Sequence, residues 1–247
     1  MKKWFMIMLG CMLLLSGCGK DGSGQEADLV LAKNSETEYK LVSYLADSSP
    51  VRSLISWLVV KTGATFSLEN SGEKAIYFGM ADDFSEVEAV NLAESYANYQ
   101  ITAADGNVYV VVSDEEVVEA AVEELKKSIE KLSDGTFGVK GNMNIEKNMG
   151  GSSEPVPVFI TGSGNMLELH DCGANNYEVI YQDMDVSAAP DEIAAYETKL
   201  TSAGYALDSE NTIGDNRFVT YLKGDTMIHC NYFPAIAQYR IVYGPAG

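Results

Sequence analysis

Apolar positions follow three different rhythms along this chain. From Trp4 to Leu15 almost every residue is apolar, after Lys2-Lys3 and before Ser16-Gly17-Cys18. That run is shorter than the roughly 20 residues needed to cross a bilayer. Charge, a short apolar run and small residues are the layout of a secretory signal. Further on, Val51, Leu54, Ile55, Leu58 and Val59 recur at helical spacing. They predict a helix opened by Ser49-Pro50, with the serine as cap, and stopped at Gly63. Strands are predicted at 39–44, 65–68 and 75–78, and a short helix at 83–96. Two apolar runs, 99–102 and 108–112, flank Asp105-Gly106-Asn107 and predict a hairpin. Ser113-x-x-Glu116 has the form of a capping box. It introduces a long helix with Val117, Val118, Ala121, Val122, Leu125, Ile129 and Leu132 on its buried side. Lys126, Lys127 and Lys131 suit its negative end, and Gly135 closes it.

The second half is strand-rich. Strands are predicted at 167–171 and 177–182. A helix opens at Pro190, buries Ile193, Tyr196 and Leu200, and ends at Gly204. Strands at 205–207, 217–222, 227–232 and 239–243 follow. Leaving the short first of these aside, the order is β-β-α-β-β-β, which implies an antiparallel sheet with a helix on one face. Between the halves, residues 142–157 cluster Gly, Ser and Pro without apolar periodicity. The expected class is α+β in two domains: an α/β sandwich with a mixed sheet, then the antiparallel domain. The division is a signal at 1–17, a tether at 18–27, a first domain at 28–148, a linker at 149–156 and a second domain at 157–247.

Leu15-Ser16-Gly17-Cys18 resembles the lipobox of bacterial lipoproteins. The resemblance implies cleavage before Cys18, lipid on its thiol, and a protein anchored to the extracytoplasmic face of the cell membrane. One acyl chain holds a protein only marginally and two hold it stably. The Gly/Ser-rich residues 19–25 then read as a flexible tether. The formal charge is −19, and loss of Lys2 and Lys3 with the signal makes it two units more negative. Such a field repels nucleic acid and anionic lipid, so neither is expected as a partner. Asp82-Asp83 has no Asp-x-Asp-x-Asp-Gly context for calcium.

With Cys11 in the signal and Cys18 lipidated, Cys172 and Cys230 remain as a possible disulfide or as two separate buried thiols. His170-Asp171-Cys172 and His229-Cys230 form the best candidate zinc cluster, but no metal-ligand spacing supports it, and no metal or cofactor is expected. Tyrosine is abundant after residue 176. Tyr177, Val179 and Tyr181 share one strand face, a possible stacking surface for a ligand or ordinary core. Hydrolase signatures are missing: Gly162-Ser163-Gly164 lacks the nucleophile-elbow form. No phosphate-binding glycine loop occurs.

Other family resemblances narrow the function. A Ser-Pro helix ending in Lys61-Thr62-Gly63, then Ala75-Ile-Tyr-Phe-Gly79, then Tyr99-Gln-Ile-Thr-x-x-Asp-Gly-Asn-Val-Tyr-Val before a long helix, resembles a domain of α-glucuronidases and β-hexosaminidases. In those enzymes it precedes the catalytic barrel and is not catalytic. The second half resembles a module found beside metallo-β-lactamase-fold hydrolases, through 177–181, Ala203-Gly-Tyr-Ala-Leu, Ser209-Glu-Asn-Thr-Ile-Gly, Phe218-Val-Thr-Tyr and Arg240-Ile-Val-Tyr. The hydrolase's own His-x-His-x-Asp-His motif is absent. Together they imply a tethered, non-catalytic accessory or binding module for glycan or envelope protein. A small glycan-acting hydrolase and a purely structural lipoprotein are the alternatives.

Overall fold

The computed structural model describes residues 28–148 and 154–246. The expected signal and tether, Cys18 and most of the expected linker lie outside the described residues. The fold is mixed α+β, as the sequence pattern implies.

The first half contains β1 (Leu29–Lys33), β2 (Lys40–Ser43), α1 (Ser49–Thr62), β3 (Leu68–Glu69), β4 (Ala75–Met80), β5 (Asn98–Ala104) and β6 (Asn107–Val112). They are followed by α2 (Val118–Ser128), β7 (Glu130–Ser133), β8 (Thr136–Val139) and β9 (Asn144–Asn148). One six-stranded sheet has the order β3-β2-β4-β6-β5-β9. β2 runs parallel to β3 and β4, and β4 to β6, while β5 is antiparallel to both β6 and β9. Ile76, Phe78, Val108 and Val110 alternate onto the face that α1 and α2 cover, all fully buried.

Three local expectations change. Helix α1 starts after Ser48, not with Ser49 as cap. No side chain caps it, and Ser49 N–H instead donates to Asp47 Oδ1 at 2.8 Å. Val51, Leu54 and Leu58 form its buried stripe, and Gly63 ends it at φ 75°. The predicted helix at 83–96 is absent. Ala81–Phe84 form a 3-10 turn, and the chain then runs irregularly to Tyr96. Buried Gln100 and Asn98 replace the missing helical bonds there, donating to the carbonyls of Ala89 and Ala93. The third change is that α2 stops at Ser128, and Ile129 turns extended. Asp134-Gly135 is a hairpin turn between β7 and β8, with Gly135 at φ 69°. The Lys131–Asp134 ion pair at 2.7 Å spans it. Asp114, rather than Ser113, supplies the cap by accepting from Glu116 N–H at 2.9 Å. β1, β8 and β7 make a small separate sheet.

The second half is β10 (Asn165–Gly173), β11 (Asn176–Gln182), α3 (Ala189–Ser202), β12 (Ala206–Ile213), β13 (Asn216–Lys223), β14 (Thr226–Phe233) and β15 (Gln238–Pro245). All six strands pair antiparallel, in the order β10-β11-β15-β14-β13-β12. α3 buries Ile193, Tyr196 and Leu200, as expected. β12 runs well past the predicted 205–207, and Asn211 lies within it.

The tyrosines of this half bind the segment that enters it. Tyr205, Tyr196 and Tyr181 donate their hydroxyls to the carbonyls of Pro155, Pro157 and Phe159, at 3.2, 2.8 and 3.0 Å. The first half supplies the rest. Val156 N–H donates to Ser95 Oγ at 2.8 Å and Phe159 N–H to Tyr96 Oη at 2.7 Å. Tyr96 and Tyr181 hydroxyls also meet at 2.7 Å. One continuous core cluster therefore spans both halves.

Burial raises these phenols. Tyr181 is pushed up to about 12, and Tyr96 and Tyr196 are held well above the usual phenol range by desolvation reinforced by neighbouring tyrosines. The fold favours the neutral phenol, so this stability is fully present below pH 10 and is lost as pH rises through the folded values. Each such phenol removes about 1.4 kcal/mol per pH unit above its unfolded pKa. Phenolate absorbance should therefore rise in two stages: exposed tyrosines first, then a cooperative step with loss of circular dichroism above pH 11. A single gradual titration would contradict this.

Candidate aromatic cleft

On the sheet face opposite the helices, alternation presents Tyr77 of β4 and Tyr109 of β6, which are direct register partners. Tyr44 follows β2, its N–H bonded to Phe78 O at 2.9 Å, and joins the row. The ring planes of Tyr44 and Tyr77, and of Tyr77 and Tyr109, lie within 11° at centroid separations of 6.4 and 5.3 Å. Phe84, from the 3-10 turn, stands steeply to all three at 5.8, 6.3 and 5.4 Å. Phe84 and Tyr109 are buried, whereas Tyr44 is 51% exposed.

Gly79 makes this approach possible. A Cβ there would lie 2.6 Å from Asp83 Oδ2 and 3.0 Å from the Phe84 ring. Asp83 Oδ2 in turn accepts Met80 N–H at 2.8 Å, which anchors the turn. The Tyr77 hydroxyl donates to Gly72 O at 2.7 Å, and burial raises its pKa. Burial also raises Tyr109. The result is a cleft of about 330 Å³ lined by these four rings with Asp83, Ser85, Glu86 and Val87. Aromatic faces beside carboxylates and a hydroxyl can stack on a ring-shaped polar ligand and hydrogen-bond its rim.

The residues singled out in the sequence lie elsewhere. Tyr177 and Tyr181 are buried, 6% and 3% exposed. Tyr177 stacks on Tyr243, and Tyr181 serves the junction, so neither offers a stacking surface. Cys172 and Cys230 are both free, the first exposed and the second buried. β11 and β15 lie between their strands, so the proposed disulfide does not form. Burial pushes the Cys230 thiol up to about 12. His170 pairs with Glu168 at 2.9 Å, and His229 Nδ1 lies 2.9 Å from Thr220 Oγ1. Among the described residues no group of three ligands is placed to hold a metal.

Carboxylates elsewhere serve structure. Burial raises Glu192, but hydrogen bonds from Thr161, Gly162 and Ser163 outweigh it and bring it below the usual range. Glu124 is lowered chiefly by Lys147. A glycosidase acid needs the opposite displacement.

The row of tyrosines was missed because its members are far apart in sequence. Each sits on a predicted strand, but only the register of three parallel strands makes them neighbours.

No protein-family model and no curated protein matches the chain. Among solved structures it shows a weak similarity to a GH20 exo-β-N-acetylglucosaminidase from Vibrio harveyi. An inactive mutant of that enzyme aligns at TM-score 0.36 and 14% identity, over 49% of this chain and 17% of the enzyme. Its complex with N-acetylglucosamine aligns at 0.35 and 12%, with the same coverage. The match is distant by both measures and spans a small fraction of the enzyme's length.

Proposed function

We propose that this chain is a lipoprotein tethered through Cys18 to the extracytoplasmic face of the cell membrane, where it binds envelope glycan without catalysing its breakdown. The cleft of Tyr44, Tyr77, Tyr109 and Phe84 carries the reading. It combines an exposed aromatic ring with polar rim groups on a rigid sheet, the arrangement that sugar recognition uses. The signal-like leader ending at Cys18 supports the location, and the sequence resemblance to an accessory domain of glycosidases supports the ligand class.

The test is one experiment on three forms of the full chain expressed in a bacterial host. The parent should enter the detergent phase and retain envelope polysaccharide on an array. Cys18→Ser should move to the aqueous phase. Tyr44→Ala should stay in the detergent phase and lose binding by about tenfold, the worth of one stacking contact. Equal retention of glycan by Tyr44→Ala, or no retention by the parent, would rule the reading out.

A further inference from the structure

We infer that the saccharide taken by the aromatic cleft is a cationic one, an oligomer of amino sugar whose amines are free rather than acylated. This rests on the reading of the cleft as a glycan site and adds the identity of the sugar.

The first argument is charge. Asp83 and Glu86 are the carboxylates among the cleft's lining residues, and no cationic side chain lines it. Neither carboxylate has an ion-pair partner among the described residues. Asp83 gives one oxygen to Met80 N–H, and its other oxygen stays available. Two carboxylates without a counter-cation repel uronate and phosphate groups and attract an ammonium. The formal charge of −19 strengthens both effects at longer range.

Ring chemistry gives the second argument. The faces of tyrosine and phenylalanine carry negative quadrupole density, which attracts an ammonium as well as stacking on a pyranose. A neutral sugar can stack on the rings and donate its hydroxyls to the carboxylates, but it brings no charge to either contact. A free amine on the ring satisfies rings and carboxylates together. An acylated amine has lost its charge and brings a bulky carbonyl towards the acid rim.

Size gives the third. About 330 Å³ lies at the small end of ligand clefts, which run from roughly 300 to 1,000 Å³. That suits a short stretch of saccharide rather than a folded partner.

The experiment is calorimetric titration of the full-length chain in non-ionic detergent with three probes of equal length. These are a glucosamine oligomer, its N-acetylated form and an oligogalacturonate, each at low and high salt. The glucosamine oligomer should bind about tenfold tighter than the N-acetylated one, the combined effect of one solvent-accessible charge pair and one cation–π contact. The advantage should shrink at high salt. It should also shrink in Glu86→Gln, which touches no structural hydrogen bond of the turn, while Tyr44→Ala weakens both amino-sugar probes and the free-amine one more. Equal or tighter binding of the N-acetylated oligomer overturns the inference and leaves the glycan reading standing. So does a preference for the uronate, or an advantage that Glu86→Gln leaves intact. Binding of none of the three overturns both.

Discussion

Replacing Tyr96 with alanine should destabilise the whole chain by about 3–5 kcal/mol, the range for deleting a buried aromatic ring. Tyr96 is 5% exposed and belongs to the first half, yet its partners belong to the second. Its ring stacks on Tyr243 at 5.9 Å and 24°. Its hydroxyl meets Tyr181 Oη and accepts Phe159 N–H, both at 2.7 Å. Alanine would leave a cavity between the two sheets and a buried N–H without a partner. Tyr96→Phe separates the terms: it keeps the ring and should cost about 1–3 kcal/mol, the penalty for stranding buried polar groups. Urea denaturation followed by circular dichroism measures both. A loss below 1 kcal/mol for the alanine variant would mean that the junction contributes little and that the halves stand alone.

Gly138→Ala should also destabilise the chain, at a place remote from the cleft. Gly138 lies in β8 and faces Val30 of β1 and Glu130 of β7. An added Cβ would lie 2.1 Å from the Leu29 carbonyl oxygen and 2.8 Å from a Leu132 methyl. The methyl can turn aside, but the carbonyl belongs to the paired strand. β1 must shift, and with it Leu31 and Ala32, both buried in the main core. Overpacking of this kind costs about 1–3 kcal/mol and more where backbone must move. Backbone exchange should then accelerate in 29–33 and 136–139 while the β10–β15 sheet stays protected. Unchanged protection at both strands would contradict the account.

How far the sequence foretold this structure depended on the range of the interactions involved. α1 and α3 were plain, because their apolar stripes and terminal glycines act within a few residues. Most of the second sheet was legible for the same reason, since β11, β14 and β15 carry local alternation, whereas β12, exposed along its whole length, gave no buried stripe to mark its extent. The region after Ser128 was not. Ile129 and Leu132 continue the helical spacing, so the pattern ran on to Gly135. The local hairpin at Asp134-Gly135 and pairing with distant β1 override it. The stretch 83–96 failed differently. Its apolar residues cover the outer face of the first sheet, and its backbone is satisfied by Asn98 and Gln100, which lie outside the segment.

The same distinction governs the sites. The abundance of tyrosine was visible and drew attention to Tyr177 and Tyr181. What it could not show was that Tyr181, Tyr196 and Tyr205 serve the carbonyls of 155–159. The start of that segment, 155–156, had read as linker because Gly, Ser and Pro cluster around it. Tyr44, Tyr77 and Tyr109 drew no notice, being spread over 65 residues of chain and joined only by strand register.

The central claim is that glycan meets this chain at Tyr44 and its neighbours and not at the tyrosines of the second half. Nuclear magnetic resonance of full-length protein with labelled tyrosine rings, titrated with glucosamine oligomer, tests it most directly. The account predicts saturable shifts at Tyr44, Tyr77 and Tyr109 with Tyr177, Tyr181 and Tyr196 unmoved. Shifts confined to the second group, or none at any ring at saturating oligomer, would contradict it.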